Sequence, residues 1–270
     1  MLTLSNGRLT VEVVDPKNDD HLLGTRYCAA GYIFQVADES SDSLLSGPTY
    51  PESYNTFDGQ GIPDTFHRAP LRTNKEPDHV LIPGVGRCSA DHKELLEPAA
   101  WSVSTERDRL SMSSDHEFEE FRLRVSRAVK LMNRTVRSVT RVDNLAKGFV
   151  PISWYPHPFF PHPNRDDLCR FSTPIGLLPN DGFTLEEDQW VSRVGWPWNA
   201  GYIAAVDHAA RDHVMVSQRH PSLGNVTITF GYVPSYTMIY GNQHCFSIEP
   251  YLERTLGIGQ SVEWFVDYTF

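Results

Sequence analysis

Two stretches of the chain concentrate groups able to move protons. The first is Trp154-Tyr155-Pro156-His157-Pro158-Phe159-Phe160-Pro161-His162-Pro163, in which the prolines fix φ and remove backbone donors. The run reads as a stiff, extended connection and not as an inner strand, and it presents the His157 imidazole within an aromatic wall. Imidazole exchanges protons near neutral pH, although a histidine so placed is as readily a core residue with a backbone partner. The second stretch is Tyr240-Gly241-Asn242-Gln243-His244-Cys245-Phe246-Ser247-Ile248-Glu249-Pro250-Tyr251. Here Glu249 follows a strand-like Cys-Phe-Ser-Ile run and precedes a proline, so a carboxylate stands where a strand leaves its sheet. Such a group is either a surface residue or a poised acid or base, and its position alone favours the surface.

Taken together, His157-Pro158-Phe159-Phe160, preceded by Asp143-Asn144-Leu145, and Ser247-Ile248-Glu249-Pro250 resemble the two motifs of the aldose 1-epimerase family, the galactose mutarotase-like β-sandwich enzymes. The resemblance covers most of the chain. It implies an all-β supersandwich fold and interconversion of the α and β anomers of a monosaccharide. That reaction opens a hemiacetal ring: an acid protonates the ring oxygen while a base takes the proton of the anomeric hydroxyl, and the roles reverse on closure. By this resemblance His157 is the acid and Glu249 the base, with no metal or organic cofactor, and the two must face each other across one cleft.

Family members also hold sugar hydroxyls with a His-Gly-Phe-x-Arg loop. The nearest match here is Asp64-Thr65-Phe66-His67-Arg68, which keeps the Phe and the Arg but has Asp and Thr in the first two places. Either His67 takes over hydroxyl binding from a shifted position, with Asp64 and Arg68 beside it, or the sugar specificity differs. The plainer alternative is that Asp64 and Arg68 pair on a loop surface, where such a bridge contributes about 0–1 kcal/mol. A further candidate surrounds Arg193, where Trp190, Trp196 and Trp198 cluster. Aromatic faces stack on the C–H face of a pyranose, and Trp196 reads as such a platform beside Arg193, whereas Trp190 reads as core.

These groups need a rigid scaffold, and short runs rich in β-branched and aromatic residues supply it: Leu9 to Val14, Gly31 to Ala37, Phe121 to Val125, Tyr202 to Val206, His213 to Ser217, Val226 to Phe230, Tyr236 to Tyr240 and Val262 to Tyr268. This is the pattern of an all-β sandwich. Between Phe121 and Val142 the basic residues Arg127, Lys130, Arg134, Arg137 and Arg141 recur at helical spacing. The strict alternation of Phe121 to Val125, the turn residue Asn133 and the β-branched run after it favour instead a hairpin with the charges on its solvated face. From Ser46 to Gly86 periodicity disappears, which marks a functional loop region.

Composition bounds the partners. With 270 residues, 24 Lys+Arg and 34 Asp+Glu, a net charge of −10 and 40% hydrophobic residues, the chain reads as one large domain, which the resemblance makes a single galactose mutarotase-like domain over residues 1–270. The acidic balance disfavours nucleic acid and anionic membrane and suits uncharged or cationic ligands, among them the neutral monosaccharide that the resemblance implies. No leader pattern or membrane span is recognised in the sequence, so a cytoplasmic protein is expected, and the resemblance implies a place in carbohydrate metabolism. Cys28, Cys88, Cys169 and Cys245 lie too far apart for a zinc motif or a disulfide framework and read as reduced packing thiols. A homodimer is compatible with the sequence but not dictated by it. Arg68, Arg72 and Arg87 leave open a phosphorylated sugar, and the altered loop leaves open a sugar-binding protein without turnover.

Overall fold

The computed structural model describes residues 1–19, 23–47, 59–208 and 213–270. Among these residues there is no helix, and every strand pairing is antiparallel. β1 (Leu2–Ser5), β2 (Leu9–Val13) and β3 (Ile33–Asp38) form a small sheet. β4 (Asp64–Thr65) comes next, and β5 (His79–Ile82), β6 (Gly86–Ser89) and β7 (Leu95–Pro98) form a second small sheet. The remaining chain alternates between two large sheets.

One large sheet has ten strands: β8 (Ser102–Thr105), β9 (Arg109–Phe118), β10 (Phe121–Met132), β11 (Thr135–Asn144), β14 (Asp167–Phe171), β16 (Phe183–Leu185), β17 (Trp190–Arg193), β19 (Met215–His220), β20 (Gly224–Phe230) and β23 (Ser261–Thr269). Their spatial order is β16-β17-β14-β19-β20-β23-β11-β10-β9-β8. The other joins β12 (Val150–Pro156), β15 (Ile175–Leu177), β18 (Tyr202–His208), β21 (Tyr236–Gly241) and β22 (Cys245–Leu256) to β4 in the order β15-β18-β21-β22-β12-β4, and β13 (Phe160–Pro161) pairs β22 as well.

Alternation along the strands builds the core between these sheets. On β11, Val136, Ser138, Thr140, Val142 and Asn144 point inward while the residues between them reach solvent or the sheet surface. Trp154 of β12 meets Trp264 of β23 edge to face at 5.1 Å, and Phe160 of β13 meets Tyr268 at 6.4 Å, so aromatic side chains join the two layers. All four cysteines are buried free thiols.

The basic stretch is the expected hairpin, β10 to β11, turning at Asn133 with φ 57°, a backbone conformation that Asn tolerates better than most residues. Arg124, Arg137 and Arg141 lie on its outer side against Asp115, Asp267 and Asp143. Arg127 departs from the expectation. It shares the inward parity of Leu123, Val125, Val129 and Leu131, and its side chain is fully buried against Asp64. A second correction concerns Trp154 to Pro156, which are not a connection outside the sheet but the end of β12, with β22 on one side and β4 on the other. Pro156 is accommodated because it is the last residue of that strand. The region from Ser46 to Gly86 contains β4, β5 and the first residue of β6; its positions 48–58 lie outside the described residues.

Candidate active site

The site forms where one ladder opens. β22 pairs β12 from Val150↔Leu256 to Trp154↔Leu252, and pairs β13 at Phe160↔Phe246 and Pro161↔Cys245. The register is the same on both sides of the gap, so continuing it through residues 155–159 sets His157 opposite Glu249. The strands part because Pro156 and Pro158 have no N–H to give and because the intervening backbone bonds elsewhere. The His157 N–H donates to Pro63 O at 2.9 Å and the Phe159 N–H to Gly61 O at 2.7 Å. The side chains of His157 and Glu249 fill the opening, with Nε2 3.3 Å from Oε1 and each side chain only 5% exposed.

Burial shapes the protonation of both groups. It pushes the Glu249 carboxyl up to about 7, against the pull of the Arg26 guanidinium, the Ser247 hydroxyl, Arg68 and the Tyr251 hydroxyl. It also drives the His157 imidazole well below its ordinary range, and the charge of Arg26 acts in the same direction. In weakly acidic solution the imidazole and the carboxylic acid are therefore both neutral. One member can then release a proton while the other accepts one. Stacking against Phe159 at 4.4 Å and edge contacts with Tyr240 at 5.8 Å and Tyr27 at 6.3 Å fix the imidazole plane.

A cavity of about 290 Å³ opens over the pair, lined by Arg26, His67, Arg68, Tyr155, His157, Phe159, Ile203, Tyr240, Glu249 and Tyr251. Tyr155, Tyr251 and Tyr236 form a continuous stack at 4.2 and 4.3 Å, and the exposed Arg68 guanidinium lies 6.0 Å over Tyr251. His67 is oriented by the Thr65 hydroxyl 2.9 Å from its Nδ1, and burial followed by Arg26 and Arg68 lowers it to about 4. It is thus a neutral donor or acceptor at the rim. Among the described residues no group of three or more His, Cys, Asp or Glu side chains is arranged to hold a metal ion.

Of the residues singled out from sequence, His67, Arg68, His157 and Glu249 converge on this cavity. Asp64 does not line it: the carboxylate is buried on the opposite side of β4, paired with Arg127. Arg193 and Trp196 do not line it either. Arg193 is bound to Asp166 at 3.0 Å and to Pro163 O at 3.3 Å, its guanidinium lies 3.9 Å over the Trp196 ring, and Trp196 also meets His162 at 4.3 Å and Trp198 at 5.4 Å. Trp190 carries the Arg219 guanidinium at 3.8 Å. The lining residues that sequence reasoning passed over divide in two. Tyr251 stands two positions beyond Glu249, on the same face of β22, so strand periodicity would have found it. Arg26 sits in a segment without periodicity or motif and offered no signal.

No known family's sequence pattern matches the chain, and no curated protein matches it in sequence. Similarity appears in three dimensions. A galactose mutarotase related enzyme from Lactobacillus acidophilus superposes with a TM-score of 0.64 at 14% identity, over 99% of this chain and 96% of its own. A galactose mutarotase-like protein from Lactobacillus casei gives 0.60 at 12% identity, over 100% and 99%. An aldose epimerase homologue from C. elegans gives 0.55 at 9% identity, over 99% and 97%. With nearly full-length overlap in each case, the chain has the galactose mutarotase-like β-sandwich fold.

Proposed function

We propose that the protein is an aldose 1-epimerase-like isomerase, acting in the cytoplasm on a monosaccharide, with His157 and Glu249 as its acid–base pair. The observation that carries this reading is the 3.3 Å approach of His157 Nε2 to Glu249 Oε1 beneath a cavity on this fold. The anomeric hydroxyl and the ring oxygen are bonded to one carbon, so a donor and an acceptor this close together reach both. A proton moves from the anomeric hydroxyl to one member of the pair and from the other to the ring oxygen. The C1–O5 bond opens, and the aldehyde closes again after rotation. The reaction itself calls for no cofactor. Exchange NMR on a panel of aldoses tests the proposal directly: cross-peaks between anomers faster than the spontaneous rate support it, whereas saturation transfer without exchange would make the protein a sugar binder.

The pair also sets a pH dependence. The competent state carries one shared proton, whichever member holds it, so kcat/KM should stay level in mildly acidic solution and fall by about tenfold per pH unit above about 7, as Glu249 gives up that proton. A rate that climbs steadily from pH 7 to pH 9 would mean that another group supplies the acid.

Arg68 tests the substrate class. Its planar fork offers several donors in one geometry that Lys cannot reproduce, so Arg68→Lys should weaken aldose binding although charge is kept. For a neutral aldose the affinity of the wild type should be nearly independent of salt, and titrating glucose, galactose and their 6-phosphates at two ionic strengths checks it. Strong, salt-sensitive binding of a 6-phosphate would replace the neutral substrate.

A further inference from the structure

The buried charge pair beneath the site has a geometry that points beyond packing. Arg127 stands in the middle of β10 with its side chain fully buried. One guanidinium nitrogen donates to the Thr140 hydroxyl at 2.6 Å, and another bonds Asp64 and lies 3.4 Å from the Ser138 hydroxyl. The backbone closes round it so tightly that a Cβ at Gly31 would come within 2.9 Å of the guanidinium. Asp64 belongs to β4, at the edge of the other large sheet, where it is the register partner of Pro156. The preceding residue, Pro63, accepts the N–H of His157. That N–H is the only one available in Pro156-His157-Pro158, because neither proline has one. The His157 backbone thus hangs from β4, and β4 is tied through Asp64 to the ten-stranded sheet.

We infer that the Asp64–Arg127 pair is a positioning device that holds His157 in register with Glu249 across the open ladder. Buried ion pairs contribute little net stability compared with apolar side chains of similar volume. What they supply is direction: a forked donor fixed by hydroxyls on β11 grips one carboxylate and so sets where the short strand lies. Other main-chain ties, from Ile62 to Ile33 and from Cys28 to Asp64, hold the same segment to the N-terminal part of the chain. Phe66 meets Trp264 of the ten-stranded sheet at 6.4 Å, and among the described residues the Arg127 contact is the ion pair that joins the segment to that sheet across the core. The geometric claim concerns His157 itself; its consequence for turnover rests on the proposed anomerisation.

The test compares the full-length wild type with Asp64→Leu/Arg127→Met, which removes both charges at similar volume, and with Arg127→Lys, which keeps the charge but loses the fork. Two readouts are taken: kcat and KM for anomer exchange, and the NMR pH titration of the His157 imidazole beside Glu249, Arg26 and His67. The double variant should fold and lose about 10- to 100-fold in kcat with KM nearly unchanged, since displacing a catalytic group by an ångström has that scale of effect. Its His157 signals should shift and follow a changed titration, and Arg127→Lys should restore part of both. A folded double variant with wild-type kcat and an unchanged His157 titration overturns the inference. If the double variant does not fold, Arg127→Lys decides by the same readouts, its wild-type behaviour in both being the overturning result. If the wild type exchanges no aldose, the functional reading falls, and the His157 titration of the variants still decides the positioning role.

Discussion

Glu249→Gln should lower the rate of anomer exchange by about 10²–10⁴-fold while leaving sugar affinity nearly unchanged. The amide matches the carboxylic acid in shape, but it cannot take up or release the proton that the carboxyl holds up to about pH 7. Loss of fold is the rival explanation, and the direction of the Glu249 shift predicts against it. Burial raises the folded-state value to about 7, so the native state holds a proton that the unfolded chain releases at lower pH. Glu249 is therefore neutral to stability in acid and increasingly unfavourable as pH rises towards and through 7. A variant without this ionisation should be at least as stable as the wild type at pH 8. Exchange NMR and denaturation on the same samples check both halves, and an unchanged rate in Glu249→Gln would remove the residue from the mechanism.

Arg127→Met should cost about 3–5 kcal/mol near neutral pH, because it strands a buried carboxylate. Burial pushes the Asp64 carboxyl up and the Arg127 guanidinium pulls it back. Without the guanidinium the upward push of burial is opposed only by the Trp154 indole. The native variant must then carry a proton on Asp64 that the unfolded chain loses above about pH 4. Its stability should decline by about 1.4 kcal/mol for each pH unit above that point until the native carboxyl itself ionises, so the deficit against wild type is small at pH 5 and large at pH 8. Adding Asp64→Leu removes the titrating group and should abolish the slope. Denaturant unfolding at the two pH values measures it, and an equal deficit at both would show that lost packing, not stranded charge, governs the cost.

Most of the scaffold was legible because alternation was. Each run picked out by its β-branched and aromatic residues lies wholly or largely within a strand, and β10 to β11 was correctly preferred to a helix. β9 was missed for a physical reason: its inward face carries Ser114 and His116 between Met112 and Phe118, so the buried side does not look apolar. Arg127 hid in the same way, although the Leu123, Val125, Val129, Leu131 parity already placed it inside. The prolines of the His157 segment suggested a connection, whereas the structure uses them to end β12 and prise open its ladder with β22. In the site, the pairing of His157 with Glu249 came from motif resemblance and not from spacing along the chain. Asp64, Arg193 and Trp196 lie away from the cavity because each is held by a partner distant in sequence, namely Arg127, Asp166 and His162.

The position of β23 has a consequence for how the chain reaches this structure. Every other strand precedes it in sequence, yet it lies between β20 and β11, near the middle of the ten-stranded sheet. During synthesis the β8 to β11 meander and the β14 to β20 group emerge as two half-sheets, each presenting an unpaired edge to the surroundings. Local hairpins such as β10 to β11 close early, but the halves join only when residues 261–269 leave the ribosome and slot between them. Until then β11 and β20 are open templates for strands of another chain, so the interval before β23 arrives is when misassembly competes most strongly with folding.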